Sequence, residues 1–267
     1  PHAHLNTTPF TLKDLIGKKV ILVDFWTYSC INCQRTMPYL NVWYEKYKDH
    51  GLEIVGVHTP EFEFEKKVEN VKKAIARFGL KHRVVLDNDY ETWTAYRNRY
   101  WPRKYLIDID GYIVYDHIGE GGYEETERQI QKALTERMER LNERGDIDVA
   151  VTKEEPALRA GSPEIYFGAS RNEYLGNGEQ GRIGVQTLTL PESPLLNRLY
   201  LGGEWEMQNE YAENRSIGAV ILFRYKAKEG YFVASSEKGA SAKIYNDGGL
   251  VKGDGESSPD CRIKGFC

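Results

Sequence analysis

The sequence predicts an α/β domain followed by an all-β domain. Over residues 1–145, apolar runs of strand length alternate with segments of helical periodicity, a pattern typical of an α/β layer structure. Over 163–255, short β-rich runs are separated by Gly, Asn, Pro and Ser, which is typical of a β-sandwich. The chain of 267 residues also exceeds the size expected of one ordinary hydrophobic core. We expect a linker at 146–162 and a tail at 256–267.

Local patterns predict each element of the first domain. The β-branched apolar run at 19–26 has the length of a strand buried on both faces. Apolar and aromatic residues recur at helical spacing over 34–47, and Gly51 is a plausible stop signal. The same reasoning predicts strands at 52–58, 83–87, 104–108 and 112–117 and helices at 64–78, 90–100 and 123–144.

The second domain is predicted to be built from short strands rich in aromatic residues. We expect these strands at 164–168, 184–190, 197–201, 216–228, 230–235 and 241–246. Five aromatic residues of this domain could form a platform that binds a glycan: Tyr166, Tyr174, Trp205, Tyr211 and Tyr231. The alternative, core packing, is favoured because each ring buries a large apolar area.

Composition and charge exclude some classes of partner. The formal net charge is −4 and the isoelectric point is about 6.0, so we expect no binding to nucleic acid, which needs a basic surface. No run of apolar residues has the length of a membrane-spanning helix. Because the chain begins at Pro1 without an initiator methionine, we expect a processed or excised fragment.

The pair Cys30 and Cys33 carries the clearest chemical signal. Both lie between the first predicted strand and the first predicted helix, the context of a redox-active CxxC motif. At a helix N-terminus, Cys30 would face unpaired backbone N–H groups that favour a thiolate, and Cys33 would attack the sulfur of Cys30. This chemistry needs no cofactor beyond the disulfide that the pair forms. A structural disulfide or half of a zinc site are the alternatives, but the domain lacks a second ligand pair at familiar spacing.

Asp24 and Pro102 are further candidates. Asp24 lies in the apolar run six residues before Cys30, and a carboxyl group in such a run is costly to bury unless it has a function or a partner. It could accept the proton of Cys33, or it could simply turn toward water at the strand end. Pro102 precedes a predicted strand, where a cis peptide bond is uncommon without special context.

The motif VDFWxxxCxxC, with Pro38 eight positions after Cys30, resembles thioredoxin. The resemblance implies a thiol-disulfide oxidoreductase in which Asp24 is a buried proton-transfer carboxylate and Trp26 packs beside the active site, where we expect it to contact substrate. It also implies that Pro102 is cis, lies against the cysteine pair and leaves a backbone edge for substrate chains. Trp101 would then help to shape substrate access.

Longer runs are similar to the TlpA-like domain of DipZ-type proteins: FWTYSCINCQRTMPYL, VHTPEFEFEK, LDNDYETW and NRYWPRKYLIDIDG. That resemblance implies an extracytoplasmic domain that acts on disulfide-containing proteins. It also implies a CcdA-like membrane domain as the electron donor, which favours a disulfide reductase. The runs SPEIYFGASRNEY and LGGEWEM resemble the C-terminal β-sandwich of the same proteins, which looks like a jelly-roll carbohydrate-binding module. On that basis the glycan candidates are Tyr166, Trp205 and Tyr211.

Other interpretations stay open. The residues Thr27 to Cys30 contain the TxxC of peroxiredoxins, so a thiol peroxidase is an alternative, although Val23 stands where that family has proline. His58 and His117 end predicted strands and could ligate copper, but the two cysteines are one residue closer than in copper-delivering relatives. We therefore expect no metal site. Two further cysteines lie in the tail, either paired or free: Cys261 and Cys267.

Overall fold

A computed structural model describes residues 3–153, 161–227, 230–234, 236, 241–246 and 249–250. The chain divides into two compact units, one of Pro1–Ala157 with Tyr231–Cys267 and the other of Leu158–Gly230. The predicted boundaries at 145 and 163 stay predictions. Cys261, Cys267 and the predicted tail lie outside the described residues. None of the helices that the structure describes has the length and apolar character needed to cross a membrane.

The first unit is built around a six-stranded sheet with the strand order β1-β4-β3-β2-β5-β6. β2, β3 and β4 are parallel to one another, whereas β1, β5 and β6 each run antiparallel to their neighbours. Its strands are β1 Ala3–Leu5, β2 Val20–Trp26, β3 Leu52–His58, β4 Arg83–Leu86, β5 Arg103–Ile107 and β6 Ile113–Ile118, and its helices are α1 Ile31–Tyr47, α2 Val68–Phe78, α3 Glu91–Ala95 and α4 Tyr123–Leu141. The predicted thioredoxin-like α/β fold is confirmed.

Three predicted helices are longer than the observed ones, each for a local reason. The segment predicted at 64–78 contains a 3-10 turn, Glu63–Lys66, and α2 starts afresh after the extended Lys67. α3 ends early because Arg97 has a positive φ, and the backbone N–H groups of Arg97 and Asn98 close the helix on the carbonyls of Thr94 and Trp93. α4 ends at Asn142, whose positive φ is a usual helix stop.

β2 lies between β3 and β5, and all seven of its residues are buried. Successive side chains of a strand point to opposite faces. Leu22 and Trp26 accordingly belong to the core beneath α1 and α4, whereas Val23 and Phe25 belong to the core on the other face. Asp24 shares the face of Leu22 and Trp26, so the fold directs a carboxyl group toward the core under α1.

The second unit contains an antiparallel sheet with β8 at its centre. Its strands are β7 Gly184–Leu188, β8 Leu199–Met207, β9 Ala212–Asn214 and β10 Val220–Phe223, and β8 pairs with each of the other three. The prediction of a separate all-β region is confirmed. A further two-residue pair, β11 Tyr245–Asn246 with β12 Gly249–Leu250, belongs to the first unit.

The strand predicted at 164–168 is not formed. This segment instead lies so close to the loop before β9 that a Cβ on Gly168 would come within 2.5 Å of backbone atoms of residues 209 and 210. Isolated backbone hydrogen bonds, from Ala169 to Gln208 and from Ser170 to Asn209, replace a strand ladder. Residues 230–234, also predicted as part of a strand, have no regular secondary structure.

Replacing Leu40 with Ala should destabilise the first unit, because Leu40 on α1 is completely buried in the core. We expect the free energy of unfolding to fall by about 2–5 kcal/mol, the usual range for such a truncation. Val42→Ala is the matched control, since Val42 lies on the same helix with 44% of its surface exposed. Urea titration followed by tryptophan fluorescence measures both. Equal losses in the two variants would contradict the packing described for α1.

Candidate active site

Cys30 and Cys33 lie at the N-terminus of α1. Cys30 is the N-cap residue, with φ −69° and ψ 115°, and its Sγ accepts a hydrogen bond from the backbone N–H of Cys33 at 3.4 Å. The sulfur thus occupies the place that a capping oxygen normally takes. Cys30 is half-buried and Cys33 is completely buried, and both thiols are free. The motif therefore presents one accessible sulfur and one sheltered sulfur.

The sheltered sulfur is held in its protonated form. Burial raises the pKa of Cys33 well above its ordinary value, and the hydrogen bond and charge of Cys30 raise it further. The negative charge of Asp24 acts in the same direction, whereas a hydrogen bond with the backbone of Thr27 opposes it. At neutral pH Cys33 is a thiol, so it can attack another sulfur only after its proton has been removed.

Asp24 is buried under the cysteine pair. It has no exposed surface, which excludes the alternative that it turns toward water. Neither of its oxygens receives a hydrogen bond from any described residue. Burial raises the pKa of Asp24 to about 7, and the positive charge of Lys104 lowers it against that effect. Its carboxyl group can therefore gain or lose a proton close to neutral pH.

The three residues expected to contact substrate have different environments. Trp26 is completely buried, with its ring edge-to-face against His58 at 5.0 Å. Because it points into the core beneath α1, the expectation that it touches substrate is wrong, although it does pack beside the cysteines in the same cluster. Trp101 is half-buried, and its Nε1 donates a hydrogen bond to the Thr59 carbonyl at 3.0 Å. The peptide bond between Trp101 and Pro102 is cis, as the resemblance implies.

A buried glutamate that sequence reasoning missed fixes the chain just before Cys30. One carboxylate oxygen of Glu65 accepts a hydrogen bond from the Ser29 hydroxyl at 2.5 Å. The other accepts from the backbone N–H groups of Glu61, at 2.6 Å, and Phe62, at 3.0 Å. Glu65 has no exposed surface. Nothing in the acidic run that contains it distinguishes this residue from its exposed neighbours, so no sequence signal could have found it.

The two strand-end histidines have separate surroundings. His58 is buried, stacks on Tyr28 with 5.6 Å between ring centres and lies 3.4 Å from the Thr27 hydroxyl. Burial lowers the pKa of His58 to about 3, so it is neutral. His117 lies 3.4 Å from the carbonyl of Glu120. Within the part of the chain that the structure describes, no three His, Cys, Asp or Glu side chains form a group suited to a metal ion.

The aromatic candidates of the second domain do not share one environment. Trp205 is only 6% exposed and belongs to the core of the second unit, where its Nε1 donates a hydrogen bond to the Gly202 carbonyl. A ring so buried offers no face to a sugar, so Trp205 is not a glycan contact. Tyr166 is half-buried with the guanidinium of Arg171 at 3.6 Å from its ring centre, and Tyr211 is 57% exposed. Glycan binding by these two tyrosines stays a prediction.

The other two aromatic candidates also have cationic neighbours. Tyr174 is half-buried, with the guanidinium of Arg198 at 5.9 Å from its ring centre. Tyr231 belongs to the first unit, where its hydroxyl accepts a hydrogen bond from Arg35 at 3.2 Å.

Comparisons with known proteins place both parts of the sequence. Residues 1–134 match the family model described as Redoxin, and residues 162–261 match the model described as Thioredoxin like C-terminal domain. Protein DipZ of Mycobacterium tuberculosis is 40% identical over 232 residues, which cover 86% of this chain and 33% of that protein. The chain thus spans about a third of the length of this relative.

Two shorter proteins each match about half of the chain. Thiol-disulfide oxidoreductase YkuV of Bacillus subtilis is 31% identical over 126 residues, which cover 47% of this chain and 84% of that protein. A thioredoxin-like protein solved in its oxidized form is 31% identical and covers 50% of this chain and 89% of its own, with a TM-score of 0.47.

Glu65→Ala should loosen the segment that leads into Cys30, because it leaves the backbone N–H groups of Glu61 and Phe62 without their acceptor. We expect a loss of about 1–3 kcal/mol in the free energy of unfolding, the usual cost of unsatisfied buried groups. Faster amide hydrogen exchange at Ser29 and Phe62 should accompany it. Glu63→Ala is the control, since its side chain is 69% exposed and should change stability by less than about 0.5 kcal/mol. Unchanged exchange at Ser29 would contradict the fixing role of Glu65.

Proposed function

The chain belongs to the Redoxin family, and on that premise we propose that it is a thiol-disulfide oxidoreductase that reduces disulfide bonds in proteins. The observation that carries the proposal is the unequal exposure of the two sulfurs at the start of α1. Cys30 is accessible and accepts a backbone hydrogen bond, whereas Cys33 is buried behind it. Thiol-disulfide exchange needs an attacking sulfur that reaches the substrate and a second sulfur that waits for the mixed disulfide.

Each residue has a role in the proposed reaction. Cys30 attacks one sulfur of the substrate disulfide, which forms a mixed disulfide and releases the first substrate thiolate. Cys33 gives its proton to Asp24 and attacks the sulfur of Cys30, which breaks the mixed disulfide and releases the second substrate thiolate. Two electrons pass from the dithiol to the substrate, and the enzyme is left with a disulfide between Cys30 and Cys33. Asp24 suits its role because its pKa of about 7 lets it accept a proton at neutral pH.

Substrate is expected to approach along the segment that contains Trp101 and Pro102. Trp101 is held by its hydrogen bond to Thr59 and by the ring of Trp93, whose centre is 4.2 Å away. A half-buried ring held in this way offers an apolar surface in a fixed orientation. We propose that Trp101 and Pro102 orient the peptide on each side of the substrate disulfide.

The proposed direction is reduction. A site that strongly stabilises its thiolate acts as an oxidant, which accounts for the oxidising potential of DsbA relative to thioredoxin. Here burial and the charge of Asp24 both raise the pKa of Cys33, so the inner sulfur gains no stability as a thiolate. The direction is favoured chiefly by the CcdA-like electron donor that the similarity to DipZ-type proteins implies, because such a donor would keep the dithiol reduced.

We further propose that the exchange takes place outside the cytoplasm and that a CcdA-like membrane protein supplies the electrons. Support comes from the similarity to DipZ-type proteins, in which such a membrane domain is expected to relay electrons outward. The 40% identity to DipZ extends over 86% of this chain but only a third of that protein. An electron relay would belong to the part of such a protein that lies beyond the matched third.

Replacing either cysteine separates the two steps of the proposed reaction. Cys30→Ser should abolish the reduction of insulin disulfides, because the attacking sulfur is gone. Cys33→Ser should instead accumulate a covalent complex between Cys30 and the substrate, which non-reducing electrophoresis and intact mass would reveal. A variant with Ser at both 261 and 267 is the control and should reduce insulin at the rate of the unmodified chain. Turnover by both single variants would refute the proposed function.

A further inference from the structure

A lysine is completely buried on the strand that faces Asp24. Lys104 lies on β5, has no exposed surface and pairs directly with Asp24 in the antiparallel register of β2 and β5. Directly opposed residues of an antiparallel pair point to the same face, with Cβ atoms about 4.5–5.5 Å apart. Lysine is rarely buried without a partner. The burial of the Lys104 ammonium group therefore needs a physical explanation.

The ammonium group of Lys104 is held in place by a backbone carbonyl and an aromatic ring. Its Nζ donates a hydrogen bond to the carbonyl of Gly119 at 3.2 Å and lies 5.5 Å from the centre of the Tyr123 ring. Gly119 in turn donates its backbone N–H to the carbonyl of Pro102 at 2.8 Å. The flexible side chain of Lys104 is thus fixed beside the segment that contains Pro102, with its charge close to the carboxyl group of Asp24.

The elements packed around Asp24 present few other charges. α1 contributes Cys33 and Cys30, and α4 contributes Tyr123, whose ring is the one that contacts the lysine. Gly56, the β3 residue paired with Asp24, has no side chain, and two residues further along β3 lies His58, which is neutral. Among these neighbours, Lys104 is the residue that brings a positive charge at neutral pH. It opposes the burial that would otherwise keep Asp24 protonated.

We propose that Lys104 is a positioning residue for the resolving step: its charge keeps Asp24 in the carboxylate form at the moment when Cys33 must lose its proton. The inference rests on the proposed function. In that step the S–H bond of Cys33 breaks and its proton passes to the carboxylate of Asp24. The sulfur of Cys33 bonds to the sulfur of Cys30, and the substrate sulfur leaves with the electron pair of the broken disulfide. No bond of Lys104 forms or breaks in this step, but its charge sets the pH range in which Asp24 is a carboxylate and can accept the proton.

The test follows the resolving step alone as a function of pH. The reduced protein is mixed with oxidised glutathione, the reaction is stopped with acid, and the decay of the mixed disulfide is followed by intact mass between pH 5 and 9. In the unmodified chain the decay rate should rise with pH around the midpoint of Asp24, which is near 7. Lys104→Met should move that midpoint upward by about one unit or more, the usual effect of removing an adjacent opposite charge. At pH 7, where about half of Asp24 is ionised in the unmodified chain, a one-unit shift should consequently lower the decay rate by roughly fivefold.

Controls separate this role from a structural one. Arg103→Met removes a charge from the adjacent position of β5, where Arg103 pairs with Asp116, and should leave the midpoint unchanged. In an Asp24→Asn background, Lys104→Met should cause no further fall in the decay rate, because the carboxyl group through which the lysine acts is absent. An unshifted midpoint in Lys104→Met would overturn the proposal. So would a fall in the decay rate that is as large when Lys104→Met is added to Asp24→Asn as when it is made in the unmodified chain.

Two further measurements cover the remaining outcomes. If Lys104→Met fails to fold, Lys104→Gln keeps a donor for the Gly119 carbonyl without the charge and should show the same shift. If the unmodified chain forms no mixed disulfide, the proposed function fails, and the role of Lys104 is then judged by carbon-13 NMR titration of the Asp24 carboxyl group. A titration midpoint that is the same with and without the lysine charge would refute it.

Discussion

The chemistry of this protein depends on a thiol and a carboxyl group that are buried together beneath the first turn of α1. Burial keeps protons on both groups: it raises the pKa of Cys33 well above its ordinary value and that of Asp24 to about 7. Their charges also repel, because a negative Asp24 disfavours a thiolate on Cys33. Of the two groups Asp24 has the lower pKa and is the one that carries a negative charge near neutral pH, so it is the acceptor beside Cys33 when that thiol loses its proton.

The fold brings these groups together through ordinary packing. The central position of β2 buries every residue of the strand, and the alternation of its side chains directs Asp24 to the side on which α1 lies. α1 begins at Cys30, so the same helix that covers Asp24 also places both sulfurs. Around this arrangement, the hydrogen bonds of Glu65 fix the residue before Cys30. The hydrogen bond from Lys104 to Gly119 fixes a positive charge that acts on the carboxyl group of Asp24.

Sequence patterns predicted those parts of the site that depend on local periodicity. The strand that ends at Trp26 and the helix that starts at the cysteines both follow from patterns of two or 3.6 residues. The direction of Asp24 stayed open in the sequence, and the burial of the whole strand decides it. The patterns failed where the outcome depends on tertiary contacts. β1 is only three residues long and exists because it pairs with β4. Glu65 and Lys104 look like ordinary surface charges in the sequence, and their burial follows from segments that are distant in the chain. Trp26 was assigned to substrate because the resemblance placed it near the cysteines, but the strand face to which it belongs points into the core.

Competitive alkylation tests the unequal exposure of the two sulfurs most directly. The reduced protein, with Ser at 261 and 267, is treated with less than one equivalent of iodoacetamide at neutral pH, and the modified cysteine is identified by peptide mapping. Cys30 is half-buried at the helix N-cap and Cys33 has no exposed surface, so the label should be found on Cys30 and should reach Cys33 only after unfolding. Equal labelling of the two cysteines in the folded protein, or labelling of Cys33 first, would contradict the division of roles between an attacking and a resolving sulfur.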